Sequence, residues 1–235
     1  GDAPTHPELL EFLAGELVRN GGRIKPLHRM IMRSHVYTQS SVQTDAGTKA
    51  DPENRFLWRM AKRRLEAEPF RDSVLAVAGN LNDTMGGPSI KPRIHPALLA
   101  NNQMTKWPSV AKEGPEHWRR SVYVFVKRSL RLPFLELYDA PSPNAPCEKR
   151  AESTVPTQAL LMMNNEFVQE QASDFARRVE REAEPAERID HAFRLAYGRT
   201  PDAEERDAVV TFLKTMTLAD LCQVLVSSNE FLYVN

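Results

Sequence analysis

Apolar residues recur every three or four positions over most of this chain, the spacing that lines one face of an α-helix. Leu9, Leu10, Phe12, Leu13, Leu17 and Val18 form the first stripe, behind Pro7. Proline suits a first helical turn because its missing N–H would have no partner there. Gly21 and Gly22 close that helix, and Pro26 opens a second through LHRMIMRSHVY. Asp51-Pro52 reads as the N-cap and first residue of a third, with Phe56, Leu57 and Met60 inward. A fourth runs from Leu65 to Ala78 and ends at Gly79-Asn80. The C-terminal third repeats the pattern. Pro156 begins a long helix to about Glu182, with Leu160, Leu161, Met163, Phe167, Ala172, Phe175, Ala176 and Val179 on its apolar side. Pro185 begins AERIDHAFRLAYG, Thr200-Pro201 caps a helix with Glu204 and Glu205 in its first turn, and LADLCQVLVSSNEFLYV closes the chain.

Between these blocks periodicity fails. Residues 82–115 are rich in glycine, proline and asparagine and predict a long irregular loop. Arg120 to Leu130 carries Val122, Tyr123, Val124, Phe125 and Val126, a β-branched and aromatic run that predicts a strand at 120–130, with IKPRI near Ile90 as its partner. The expectation is a mainly α fold: a helical bundle with a long irregular middle loop, leaving room for one short β-hairpin. Three regions follow: an N-terminal helical part over 1–81, a loop-rich middle over 82–155, and a C-terminal helical bundle over 156–235, integrated as one domain.

Composition narrows the function classes. The 235 residues, 41% of them hydrophobic, suffice for a substantial core. Lys plus Arg equals Asp plus Glu at 31 each, so no overall field gathers phosphates and nucleic acid is not expected as a partner. No apolar stretch reaches the roughly 20 residues that cross a bilayer, and no signal peptide opens the chain. The start at Gly1 is read as that of a fragment of a larger protein. Cys147 and Cys222 have no C-x-x-C or haem-attachment spacing, so any haem is expected outside this chain, and a bridge between the two cysteines stays open. Six scattered histidines lack metal-ligand spacing, and no metal site is expected. TMGGP lacks the spacing of a phosphate-binding loop and reads as a turn.

The segment from Tyr138 to Val168 is the most specific. Its Tyr138, Asp139, Pro141, Cys147, Arg150, Pro156, Gln158, Ala159, Leu160, Asn164, Phe167 and Val168 fit an ordered pattern. With THPELLEFLA, TMGGP, RRSVYVF, LAYGRTPDAEE and SSNEFLYV in order, the chain resembles the planctomycete domain of unknown function DUF1553, in its C-terminal part. Departures are the loop from Asn101 to Glu116, longer and more irregular than the pattern, and Val155, where a polar residue is expected. The resemblance implies an exported or periplasmic protein with cytochrome-c-like haem domains elsewhere in the parent. It implies no established activity.

Lys149 and Arg150 beside Cys147 would favour a thiolate, which makes Cys147 a candidate nucleophile, against a loop cysteine packed under the next helix. Asp139 is the second catalytic candidate, against a brace pairing with Arg150. Arg150, Gln158 and Asn164 are candidate binding residues, and Arg64, Glu68, Arg71 and Asp72 candidate ion pairs fixing their helix against the cysteine loop. Trp58, Trp107, Trp118 and Tyr123 offer faces for a glycan. The preferred reading is a structural or interaction domain whose loop from Asp139 to Thr154 docks a neighbouring domain of the parent or a glycan. The alternative is a hydrolase or carbohydrate-binding domain acting on complex polysaccharide, with Cys147 or Asp139 and a histidine brought close by folding. A third class, an accessory to electron transfer, would face a haem domain.

Overall fold

A computed structural model describes residues 3–99 and 107–234 and shows a mainly helical protein. The chain divides after Arg63 into two compact units.

The first unit holds α1 (Pro7–Arg19), α2 (Ile24–Met32), α3 (His35–Thr38) and α4 (Asp45–Ala50). Asn20 caps α1 and Gly21 and Gly22 turn the chain at positive φ. No helix begins at Asp51-Pro52. The Asp51 carboxylate instead accepts from the N–H groups of Arg55 and Phe56 at 3.0 and 2.8 Å, beyond the reach of a helix N-cap. Asn54 and Leu57 then sit at φ 54° and 55°, which helical propagation does not tolerate. Gly47 matters by its size: a Cβ there would fall 2.5 Å from the Trp58 ring.

The second unit opens at Arg64, the second residue of the short strand β1 (Arg63–Arg64) that pairs with β2 (Tyr233–Val234), and its core helix is α5 (Ala67–Ala78). Gly79 ends α5 in the left-handed region, where glycine carries no Cβ penalty. α6 (Pro96–Leu99) and α7 (Pro133–Leu137) belong to the middle segment. The stretch predicted as a strand at 120–130 is a 3-10 turn, Ser121–Tyr123, followed by isolated bridges. Ile90 does pair with it: its N–H donates to Tyr123 O and its carbonyl accepts from Phe125 N–H, both at 2.8 Å. One residue of pairing on one side does not make a strand.

The long helix predicted from Pro156 is two, α8 (Pro156–Asn164) and α9 (Glu166–Glu182). Asn165 breaks it: its extended backbone starts a new helix and its side chain accepts from Phe167 N–H at 3.0 Å. α10 (Arg188–Tyr197), α11 (Ala203–Phe212), α12 (Leu218–Ser227) and α13 (Asn229–Leu232) complete the bundle. The N-cap of α11 is Asp202 rather than Thr200, because Asp202 and Glu205 satisfy each other's N–H groups at 2.8 Å.

α9 is central, packed between α5 and α12. It buries Val168, Phe175 and Val179 against Val74 and Phe70 of α5 and Leu221, Cys222 and Leu225 of α12. Cys222 is a free buried thiol, and burial pushes its pKa up to about 12. Cys147 is also free, so the two cysteines are not bridged. Polar contacts lock α9 to α5: Arg178 donates to Ala76 O and Val77 O at 2.9 and 3.1 Å, where a cation suits the negative helix end. Phe175 is fully buried, so Phe175→Ala should cost about 3–5 kcal/mol of unfolding free energy in urea titrations. Val210→Ala, at an exposed position, should move the midpoint little.

Candidate functional site

The proline-rich cysteine loop enters through α7 and leaves into α8, and the side chains of Arg64, Asp139, Ser153 and Gln158 fix its two ends. Asp139 stands at φ 63°, an unusual conformation for a residue with a Cβ, which the surrounding bonds hold. Its carboxylate accepts from Arg64 Nη2 at 2.6 Å and from the Ser153 N–H and hydroxyl, each at 2.8 Å. Arg64 Nη1 donates to Ser153 O at 2.6 Å, so one guanidinium grips both ends of the loop. The Arg64 side chain is 3% exposed and lies over the Tyr138 ring at 5.7 Å. Burial would raise the Asp139 pKa, but the Ser153 N–H and hydroxyl and Arg64 together hold it below the usual carboxylate range. Burial pushes Tyr138 up to about 12, against the opposing charge of Arg64.

Gln158, buried in the first turn of α8, fastens the loop's exit. Its Nε2 donates to Leu137 O at 3.0 Å and Ser153 O at 3.1 Å, and its Oε1 accepts from Val155 N–H at 3.3 Å. The last bond satisfies the N–H of the N-cap residue, the half of a capping box that Gln158 can supply, while Val155 offers no side-chain acceptor to the first turn of α8. Arg150 reaches back to α5, with Nη1 at 2.6 Å from Glu68 and 3.1 Å from Glu66. Hydrogen bonding to Glu68 raises its pKa.

The partners differ from those that helical spacing suggests. Arg64 pairs with Asp139 rather than Glu68, because Arg64 is in extended β1 and the i,i+4 rule needs both residues in one helix. Arg150 pairs with Glu68 and Glu66, leaving Asp139 to Arg64. Arg71 approaches Asp72 only to 4.0 Å, and Asp72 accepts from Ser121 N–H at 2.7 Å. Asn164 is set apart: its amide donates to Leu160 O of its own helix at 2.9 Å. Ser153, which completes the clamp, carries no signal in a sequence read for ionisable pairs.

Cys147 is exposed, and its Sγ donates to Lys149 O at 3.4 Å. Among the described residues no histidine or carboxylate bonds to it, and no three His, Cys, Asp or Glu side chains are placed to hold a metal. The Trp107 ring is buried, with Nε1 donating to Pro92 O at 3.0 Å, so it offers no open stacking face. Beside the loop runs a groove of about 380 Å³. Leu132, Leu135, Pro69 and Pro141 line it, Val122 and Val126 stand exposed along it, and Glu68 and Arg150 lie at its polar side.

With this geometry in view, comparison with known proteins places the chain. Residues 1–213 match the family model described as PSD1, protein of unknown function (DUF1553). The chain belongs to the PSD1 family. No curated protein and no solved structure matches it. For this PSD1 chain the match covers the first compact unit and the second as far as Leu213, the whole cysteine loop included. Among the described residues no helix is long and apolar enough to cross a membrane.

The clamp has a pH signature. The folded-state pKa of Asp139 lies below its unfolded value, so its contribution is present at neutral pH and fades as pH falls through the acid range. Asp139→Asn should cost about 3 kcal/mol at pH 7, as expected for breaking a largely buried pair. In urea titrations the gap between variant and native protein should narrow below pH ~4, near the ordinary carboxylate pKa.

Proposed function

We propose that this chain is a structural or interaction domain whose cysteine loop docks a neighbouring domain of its parent protein. The observation that carries the reading is the division of labour within the loop. Its ends are gripped by Arg64, Asp139, Ser153 and Gln158, while Asn144, Ala145, Pro146, Cys147, Glu148 and Lys149 are exposed. A partner meeting such a surface orders little on binding, because the loop's backbone is already tied at both ends. The groove alongside adds apolar surface in Val122 and Val126, which a soluble partner would cover.

The setting that fits is an exported planctomycete-type protein carrying cytochrome-c-like haem domains, which supply the neighbour. The resemblance of the segment from Tyr138 to Val168 supports it. Docking asks of the loop only a fixed shape and an accessible face.

Cys147 provides the test. It is exposed while Cys222 is buried, so a maleimide should label one thiol in the native protein and two in denaturant. In the full-length parent, a benzophenone attached to Cys147 should crosslink to another domain on illumination. Crosslinks confined to solvent-exposed segments of this same domain would reject docking.

A further inference from the structure

A second site lies apart from the cysteine loop, in a cavity of about 110 Å³ between the middle segment and the start of α9. A water needs roughly 10–15 Å³ of such space, so several waters or a small molecule fit. Two buried groups of opposite charge reach it, Arg71 at 1% exposure and Glu113 at 5%. Arg71 donates through Nη1 to Arg119 O and Ser121 Oγ, both at 3.2 Å, and through Nη2 to His117 O at 3.0 Å. All three acceptors are uncharged oxygens. Glu113 accepts through Oε1 from Arg93 N–H at 2.6 Å, but its buried Oε2 has no hydrogen-bond partner. The two do not meet as an ion pair, for the nearest carboxylate contact of Arg71 is Asp72 at 4.0 Å.

An orphaned buried carboxylate oxygen costs about 1–3 kcal/mol or more, so its persistence calls for an occupant that donates to it. Much of the remaining wall is apolar, with Phe134, Leu132, Ile94 and the Phe167 ring, which faces Arg71 at 5.2 Å. Arg93, His95 and Asn165 complete it, and the Arg93 guanidinium is paired with Glu170 at 2.9 Å. A bare cation would be repelled by Arg71 and a bare anion by Glu113, whereas a molecule with both charges satisfies both ends. The cavity reaches the surface at exposed His95 and Leu98, which gives a route of entry. We propose that this cavity binds a compact zwitterion, an amino acid of glycine or alanine size, with its carboxylate on Arg71 and its ammonium on Glu113. The proposal is independent of docking at the cysteine loop.

Saturation-transfer NMR on the full chain tests it, with glycine and alanine as probes and acetate and methylammonium as half-ligands. The amino acids should show saturable transfer at least tenfold stronger in affinity than either half-ligand. Glu113→Gln keeps the shape and removes the charge, and should abolish that preference. Leu98→Trp, at an exposed position on the cavity mouth, should block entry while circular dichroism stays unchanged. No saturable transfer from either amino acid would mean that the cavity holds water alone and would overturn the proposal. Transfer that persists in both variants, or half-ligands binding as tightly, would overturn it equally.

Discussion

The contact between Arg64 and Asp139 is the constraint on which the cysteine loop depends. Taking both groups out of water is costly, and the cost is offset only because the remaining polar atoms find partners. Ser153 supplies three of them, its N–H and hydroxyl to Asp139 and its carbonyl to Arg64. The set is nearly complete: Arg64 Nε alone is buried without a bond. Such an arrangement discriminates among loop conformations more than it adds stability, since any other path leaves a buried charge unpaired. It also explains how Asp139 keeps φ 63°, a conformation that costs of order 1 kcal/mol for a residue with a Cβ.

The clamp is continuous with the core. Tyr138, the residue before Asp139, packs its ring 4.7 Å from Phe70 and 5.4 Å from Phe134. Phe70 belongs to α5, which also extends Glu68 to Arg150 across the loop. One helix therefore positions the loop twice, by aromatic packing beneath it and by a charge at its side. The same helix meets α9 through Phe175 and Arg178, so a shift of the bundle would be felt at the loop.

The helices were legible because burial of one face imposes a period that survives in a single sequence. Gly79 and Gly198 marked true ends, and Ala172, Phe175, Ala176 and Val179 of the stripe read after Pro156 lie in the core, whereas Leu160 and Met163 of the same stripe are exposed. What the pattern could not convey is which distant polar groups meet. Arg64 and Asp139 lie 75 positions apart, and their pairing follows from the tertiary path alone. Asn165 and Asp51 show a related loss, because a short polar side chain caps or turns the chain according to backbone geometry that composition does not record. The run at 120–130 erred differently. Val122 and Val126 are exposed and Val124 is buried, a true alternation, but a strand also needs a ladder of neighbours, and among the described residues Val124 bridges to the single residue Ile90.

Several positions that make the segment from Tyr138 to Val168 recognisable have their polar atoms engaged inside the fold, although Cys147 is exposed. Asp139, Arg150 and Gln158 each bond to residues of the same unit, and Asn164 bonds back to Leu160 O within its own helix. A residue so engaged presents little to a partner. What the internal bonds leave outside is the loop from Asn144 to Lys149 and the apolar edge at Val122 and Val126.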